Sequence, residues 1–176
     1  MKFPFKWNGY IIRSPKISDA KLAMNFINAF VEENADINMN KKTSLKNEKE
    51  WLKCIISDYK KRKSVQLFAF NEKNIVGSTG INLKSFKQSH IGSYGITISK
   101  GERGKGLGKK LTELILKLAK ERLKGLELVI LEVFKRNKKA ISMYKKFGFK
   151  TVATLKGTIK NKGKYFDEYI MHLWVK

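Results

Sequence analysis

A chain of 176 residues is long enough for one well-packed core and short for two, and its 42% hydrophobic and 11% aromatic content excludes a disordered chain although 30% of residues are charged. The formal charge of +23, from 38 basic and 15 acidic residues, favours anionic partners without choosing among nucleic acid, acidic protein and anionic cofactor. No apolar run reaches bilayer length, and the first ten residues, MKFPFKWNGY, lack the continuous apolar stretch of a secretory leader, so a soluble, cytoplasmic, single domain over residues 1–176 is expected, with no membrane partner.

Residues 10–13 read as a short strand. Ser18 and Asp19 offer a helix N-cap ahead of Leu22, Phe26, Ile27 and Phe30 at helical spacing. A polar stretch through residue 42 leads to a second helix opening at Thr43 or Ser44, with Leu45, Leu52, Ile55, Ile56 and Tyr59 along one face. The single cysteine, Cys54, falls in this helix and reads as a buried structural thiol without a disulfide or metal partner.

VQLFAF (65–70), the turn NEKN (71–74) and IVGSTGINL (75–83) form an antiparallel hairpin pattern, and a third strand follows at 91–99. Leu107, Leu111, Leu114, Ile115 and Leu118 then recur at helical spacing, ending at Gly125. LELVILEV (126–133) is an apolar strand, and Asn137 opens a helix carrying Ala140, Ile141, Tyr144 and Phe147, capped by Gly148. Two last strands, 149–159 and 165–175, flank the turn NKG. The sum is an α/β fold with a mixed, mostly antiparallel, splayed sheet of six to seven strands and four helices.

Between the strand at 91–99 and its helix, ISKGERGKGLGKKL brings four glycines to a helix N-terminus, where free backbone N–H groups and the helix dipole favour phosphate. Lys105, Lys109 and Lys110 add charge. A P-loop is excluded, because Gly108-Lys109 is followed by Lys110 and Arg103 stands where its first glycine belongs. A dinucleotide fingerprint is excluded as well, because Gly104, Gly106 and Gly108 alternate and follow antiparallel strands.

Arg103-Gly104-Lys105-Gly106-Leu107-Gly108 resembles the R-x-x-G-x-G pyrophosphate loop of the GNAT superfamily of acetyl-CoA-dependent N-acetyltransferases. NKKAISMYKKFGF (137–149) is similar to the superfamily's second signature, N-x-x-A-x-x-x-Y-x-x-x-G-F, and KGKYFDEYIMHL is similar to the last strand of the branch that acetylates ribosomal proteins and small amines. The resemblance implies acetyl-CoA as co-substrate, with Arg103 to Gly108 at the pyrophosphate, Lys109 at further phosphate charge, the backbone of Ile96, Thr97 and Ile98 pairing with the pantetheine arm, and Asn137 steadying it. It also implies Tyr144 near the sulfur as general acid, which is chemically sensible for a phenol of pKa about 10 facing a thiolate of about 8.5.

Where relatives carry a strand glutamate as base, this chain has Ser93-Tyr94-Gly95, which leaves a relayed water, Glu132 or His90 for that role. Neither His90 nor His172 has neighbours of metal-ligand type, so no metal is expected. Glu32, Glu33 and Asp36, three acids in five residues, border the acceptor region in such enzymes and suit a cationic amine; Asp167 and Glu168 form a second acidic pair. The acceptor stays open between a small polyamine and a protein N-terminus or lysine, and the oligomer between monomer and homodimer. A basic nucleic-acid-binding module, which rests on charge alone, and an acetyl-CoA sensor without catalysis are the rival readings.

Overall fold

The computed structural model describes residues 3–176. The reading of the first ten residues also covers Met1 and Lys2, which lie outside that range. Eight strands form one sheet in the order β1-β2-β3-β4-β5-β6-β8-β7. They are β1 (Phe5–Trp7), β2 (Tyr10–Arg13), β3 (Ser64–Asn71), β4 (Asn74–Leu83), β5 (Ile91–Ile98), β6 (Leu128–Phe134), β7 (Lys150–Asn161) and β8 (Lys164–Trp174). Four helices accompany them: α1 (Ala20–Glu32), α2 (Leu45–Lys60), α3 (Leu107–Arg122) and α4 (Lys138–Lys146).

Mixed, mostly antiparallel α/β architecture with four helices matches the expectation; the strand count is eight rather than six to seven. The extra strand is β1, whose three residues are too few for a period to register. It pairs with β2 across Asn8 and Gly9, which hold φ of 44° and 80° as a tight two-residue hairpin requires.

Alternation along β3 divides the core. Val65, Leu67 and Ala69 pack with α3 residues such as Leu111 and Ile115, while Phe68 and Phe70 pack with Phe26 and Phe30 of α1 and Leu52 of α2. Ser44 caps α2 by accepting from the Asn47 amide at 3.2 Å. Asp19, in contrast, is no side-chain cap for α1: its carboxylate is taken by Arg13 at 2.7 Å and by the Lys16 amide at 2.7 Å. Cys54 is exposed, not buried. At 100° per residue it lies about 200° from Leu52, on the far side of the helix from the apolar face. Among the described residues no helix is long and apolar enough to cross a membrane.

Candidate active site

β5 and β6 are parallel and pair only through Ile91–Leu128, Gly92–Val129 and Ser93–Ile130. Gly92 leaves room at this closed end for the side chains of Ile81 and Leu126, which a Cβ there would meet at 2.6 Å and 2.9 Å. Beyond that point β5 stays with β4, with Ile96 opposite Thr79, while β6 stays with β8, with Glu132 opposite Ile170. The arms therefore diverge, and the edge of β5 facing β6 presents backbone groups without a strand partner from Tyr94 onward. A cleft of about 1400 Å³ opens between them.

One wall of the cleft mouth is the glycine loop. Gly104 and Gly106 adopt φ of 82° and 85°, conformations that turn successive N–H groups toward one point at the start of α3. The hairpin β1–β2 braces the loop from outside. Trp7 packs 3.4 Å from where a Gly106 Cβ would be, and Tyr10 donates a short hydrogen bond to Glu102. Glu102 also accepts from Lys105 at 3.1 Å and Asn71 at 3.3 Å. The Tyr10 bond pulls the Glu102 carboxyl below its ordinary range and pushes the Tyr10 phenol up to about 12.

Ile96, Thr97, Ile98, Gly104, Gly106, Gly108, Lys109, Asn137 and Tyr144 all line the cleft. Arg103 lines it too, but its guanidinium is bonded to Glu33 and its Nε to the Ile98 carbonyl at 2.9 Å. Asn137 spends its side-chain oxygen on the Ala140 amide, 3.2 Å away, as the N-cap of α4. Lys138 and Lys139, not singled out from sequence, add positive charge to the lining that Lys109 also joins.

Tyr144 is buried at 7% exposure and makes an edge-on contact with Tyr94, their rings 5.9 Å apart. Burial pushes its phenol up to about 12. No hydrogen bond within the described residues engages its hydroxyl, whereas that of Tyr94 is bonded to Thr112 at 2.8 Å. The phenol of Tyr144 is thus available to a ligand.

The acidic residues separate into four groups. Glu32 stands outside the cleft, paired with Lys42. Glu33 and Asp36 line it but are neutralised by Arg103 and Arg136. Glu132 on β6 and Glu168 on β8 line it with no cationic partner among the described residues. Asp167 turns away to Lys135 and the Gly157 amide. His90 and His172 do not line the cleft: His90 precedes β5 at the closed end, and its carbonyl accepts from the Glu127 amide. Arg136 was not singled out from sequence, and Glu168 only as half of an acidic pair with Asp167.

A sequence profile of the Acetyltransferase (GNAT) family matches residues 30–149, which hold both arms of the cleft and the glycine loop. The chain belongs to this family. Over 107 residues this GNAT chain is 29% identical to an L-amino acid N-acetyltransferase of Escherichia coli, a match covering 60% of the chain and 65% of that relative. The GNAT-family acetyltransferase of Streptococcus pneumoniae superposes with a TM-score of 0.85 at 25% identity, covering 94% of this chain and 99% of the other. A Salmonella typhimurium protein solved with its cofactor acetyl-CoA shares the GNAT fold at a TM-score of 0.83, with 18% identity and coverage of 95% and 94%.

Proposed function

We propose that this GNAT protein is an enzyme that transfers an acetyl group from acetyl-CoA to a primary amine by direct attack within a ternary complex, residues 1–176 acting as one domain. One observation carries the reading: a single cleft unites the free edge of β5, the N–H-rich loop from Gly104 to Lys109, and the unengaged phenol of Tyr144.

The residues fit the co-substrate. Backbone N–H groups of the loop and the α3 dipole suit a pyrophosphate, and Lys109, Lys138 and Lys139 suit further phosphate charge. The unpaired backbone of Ile96, Thr97 and Ile98 suits the amides of pantetheine, which would lie along β5 like an added strand. Arg103 contributes by holding the end of β5, through the Ile98 carbonyl, against α1. Asn137 steadies the opposite wall through its cap of α4.

Holding amine and thioester together in the cleft supplies much of the rate, and β5 N–H groups stabilise charge on the carbonyl oxygen. Glu132 receives the proton that the ammonium must lose, directly or through water. Tyr144 serves the leaving sulfur. With its phenol held near 12, full proton transfer to a thiolate of about 8.5 would be uphill by roughly three to four pK units, so Tyr144 acts as a hydrogen-bond donor to the developing thiolate. The proton released by the amine completes the thiol.

Release of free CoA thiol in the presence of acetyl-CoA and a panel of primary amines tests this reading. Amine-dependent release that collapses in Tyr144→Phe, with acetyl-CoA still bound, is the expected result. Release that ignores the amine, or a variant as active as the wild type, would overturn it.

A further inference from the structure

The acceptor side of the cleft holds two carboxylates that no lysine or arginine among the described residues neutralises, Glu132 and Glu168. The other acids lining the cleft, Glu33, Asp36 and Glu102, each have a basic partner, which leaves Glu132 and Glu168 as its carboxylates without an ion pair among the described residues. Glu168 is 4% exposed, and its Oε2 accepts only the Thr158 hydroxyl at 3.0 Å, while Oε1 has no partner among the described residues. Its carboxylate lines the cleft with one neutral donor on Oε2 and with Oε1 unengaged, open to a cation bound there.

Strand register relates the two acids. Glu168 stands opposite Phe134, two residues beyond Glu132 on the same face of β6. Such diagonal neighbours lie about 7–8 Å apart, within reach of both ends of a short alkyl diamine. The facing arm leaves space, because Gly95 has no atom within 4 Å of where its Cβ would be.

We infer that Glu168 selects an acceptor carrying a second positive charge, binding that group while the reacting amine sits beside Glu132. The inference rests on the transferase reading above and names the substrate class of the same site. It differs from an assignment to Glu33 and Asp36, whose charges are met by Arg103 and Arg136. A small diamine and a basic peptide share this chemistry.

The test compares initial rates on putrescine, n-butylamine and a short peptide with lysine after its free amino terminus, in wild type, Glu168→Gln and Thr158→Val. Wild type should prefer putrescine or the peptide over n-butylamine by about tenfold or more, and Glu168→Gln should erase that preference through KM rather than kcat. Thr158→Val, which removes only the internal hydrogen bond, should retain it. Whichever dication loses more in Glu168→Gln identifies the source. Equal rates on all three acceptors in wild type, or equal losses on all three in Glu168→Gln, would overturn the inference. Putrescine should also raise the melting temperature of wild type but not of Glu168→Gln. If that shift occurs without turnover of any amine, the Glu168 assignment stands and the transferase reading fails; if no shift occurs, the Glu168 assignment fails.

Discussion

Arg103 and Glu33, 70 residues apart, join the cofactor loop to the end of α1: Nη1 makes a short bond to the carboxylate and Nη2 donates to Oε2 at 3.0 Å. Across the cleft Arg136 donates to Asp36 at 2.9 Å through Nε. The segment 33–36 is thereby strapped to both arms. Both arginines are 42–44% exposed, so each pair is worth no more than about 1 kcal/mol and is weakened by salt. Glu33→Gln should weaken acetyl-CoA binding by less than about fivefold at low salt and by nothing measurable at high salt, read by titration calorimetry.

Tyr144→Phe keeps the ring packing against Tyr94 and Phe149 but removes the donor. We expect kcat to fall by roughly 10²-fold with acetyl-CoA affinity within about twofold, the range for loss of one positioned donor. Because the phenol titrates only near 12, no loss of rate from its ionisation should occur below about pH 11. The raised phenol also links Tyr144 to stability. The group contributes fully below its ordinary value of 10.0, and that contribution is lost as pH rises through about 12.

Tyr10 and Glu102 connect the N-terminal hairpin to the phosphate loop. Removing the phenolic donor by Tyr10→Phe frees Glu102 to repel a pyrophosphate and loosens the brace against Gly106. Acetyl-CoA Kd should rise about three- to tenfold with kcat at saturation little changed, as expected for one charge-assisted hydrogen bond.

Glu48 lies on the buried side of α2, and burial pushes its carboxyl above the ordinary value of 4.5. A raised folded-state pKa means the protonated form is favoured by folding, so stability is fully present below pH 4.5 and declines as pH rises through the folded value. Glu48→Gln should therefore raise the melting temperature at neutral pH, on the order of 2 °C, and do nothing below that range. Calorimetric melts at the two pH values check it.

Much of this was legible locally. The glycine loop and the signature from Asn137 to Phe149 are contiguous, so their residue types and the elements beside them disclosed fold and cofactor side together. What stayed hidden was long-range. Asp36 and Arg136 meet across 100 residues and Glu33 and Arg103 across 70, so three clustered acids read as an open acceptor patch although each of them has a basic partner in the fold. Glu168 was paired in sequence with Asp167, yet strand alternation sends one carboxylate into the cleft and the other to Lys135. Cys54 shows the reverse failure, a hydrophobic residue type near an apolar face but rotated off it.

The splayed arms of β5 and β6 are proposed to form the acetyl-CoA site. Calorimetric titration with acetyl-CoA, with ATP as control for indiscriminate anion binding to so basic a chain, tests it most directly. Equimolar binding of acetyl-CoA, far tighter than ATP and retained at moderate salt, is the predicted result. Equal binding of the two, falling steeply with salt, would contradict it and leave the loop as a basic helix terminus without a dedicated ligand.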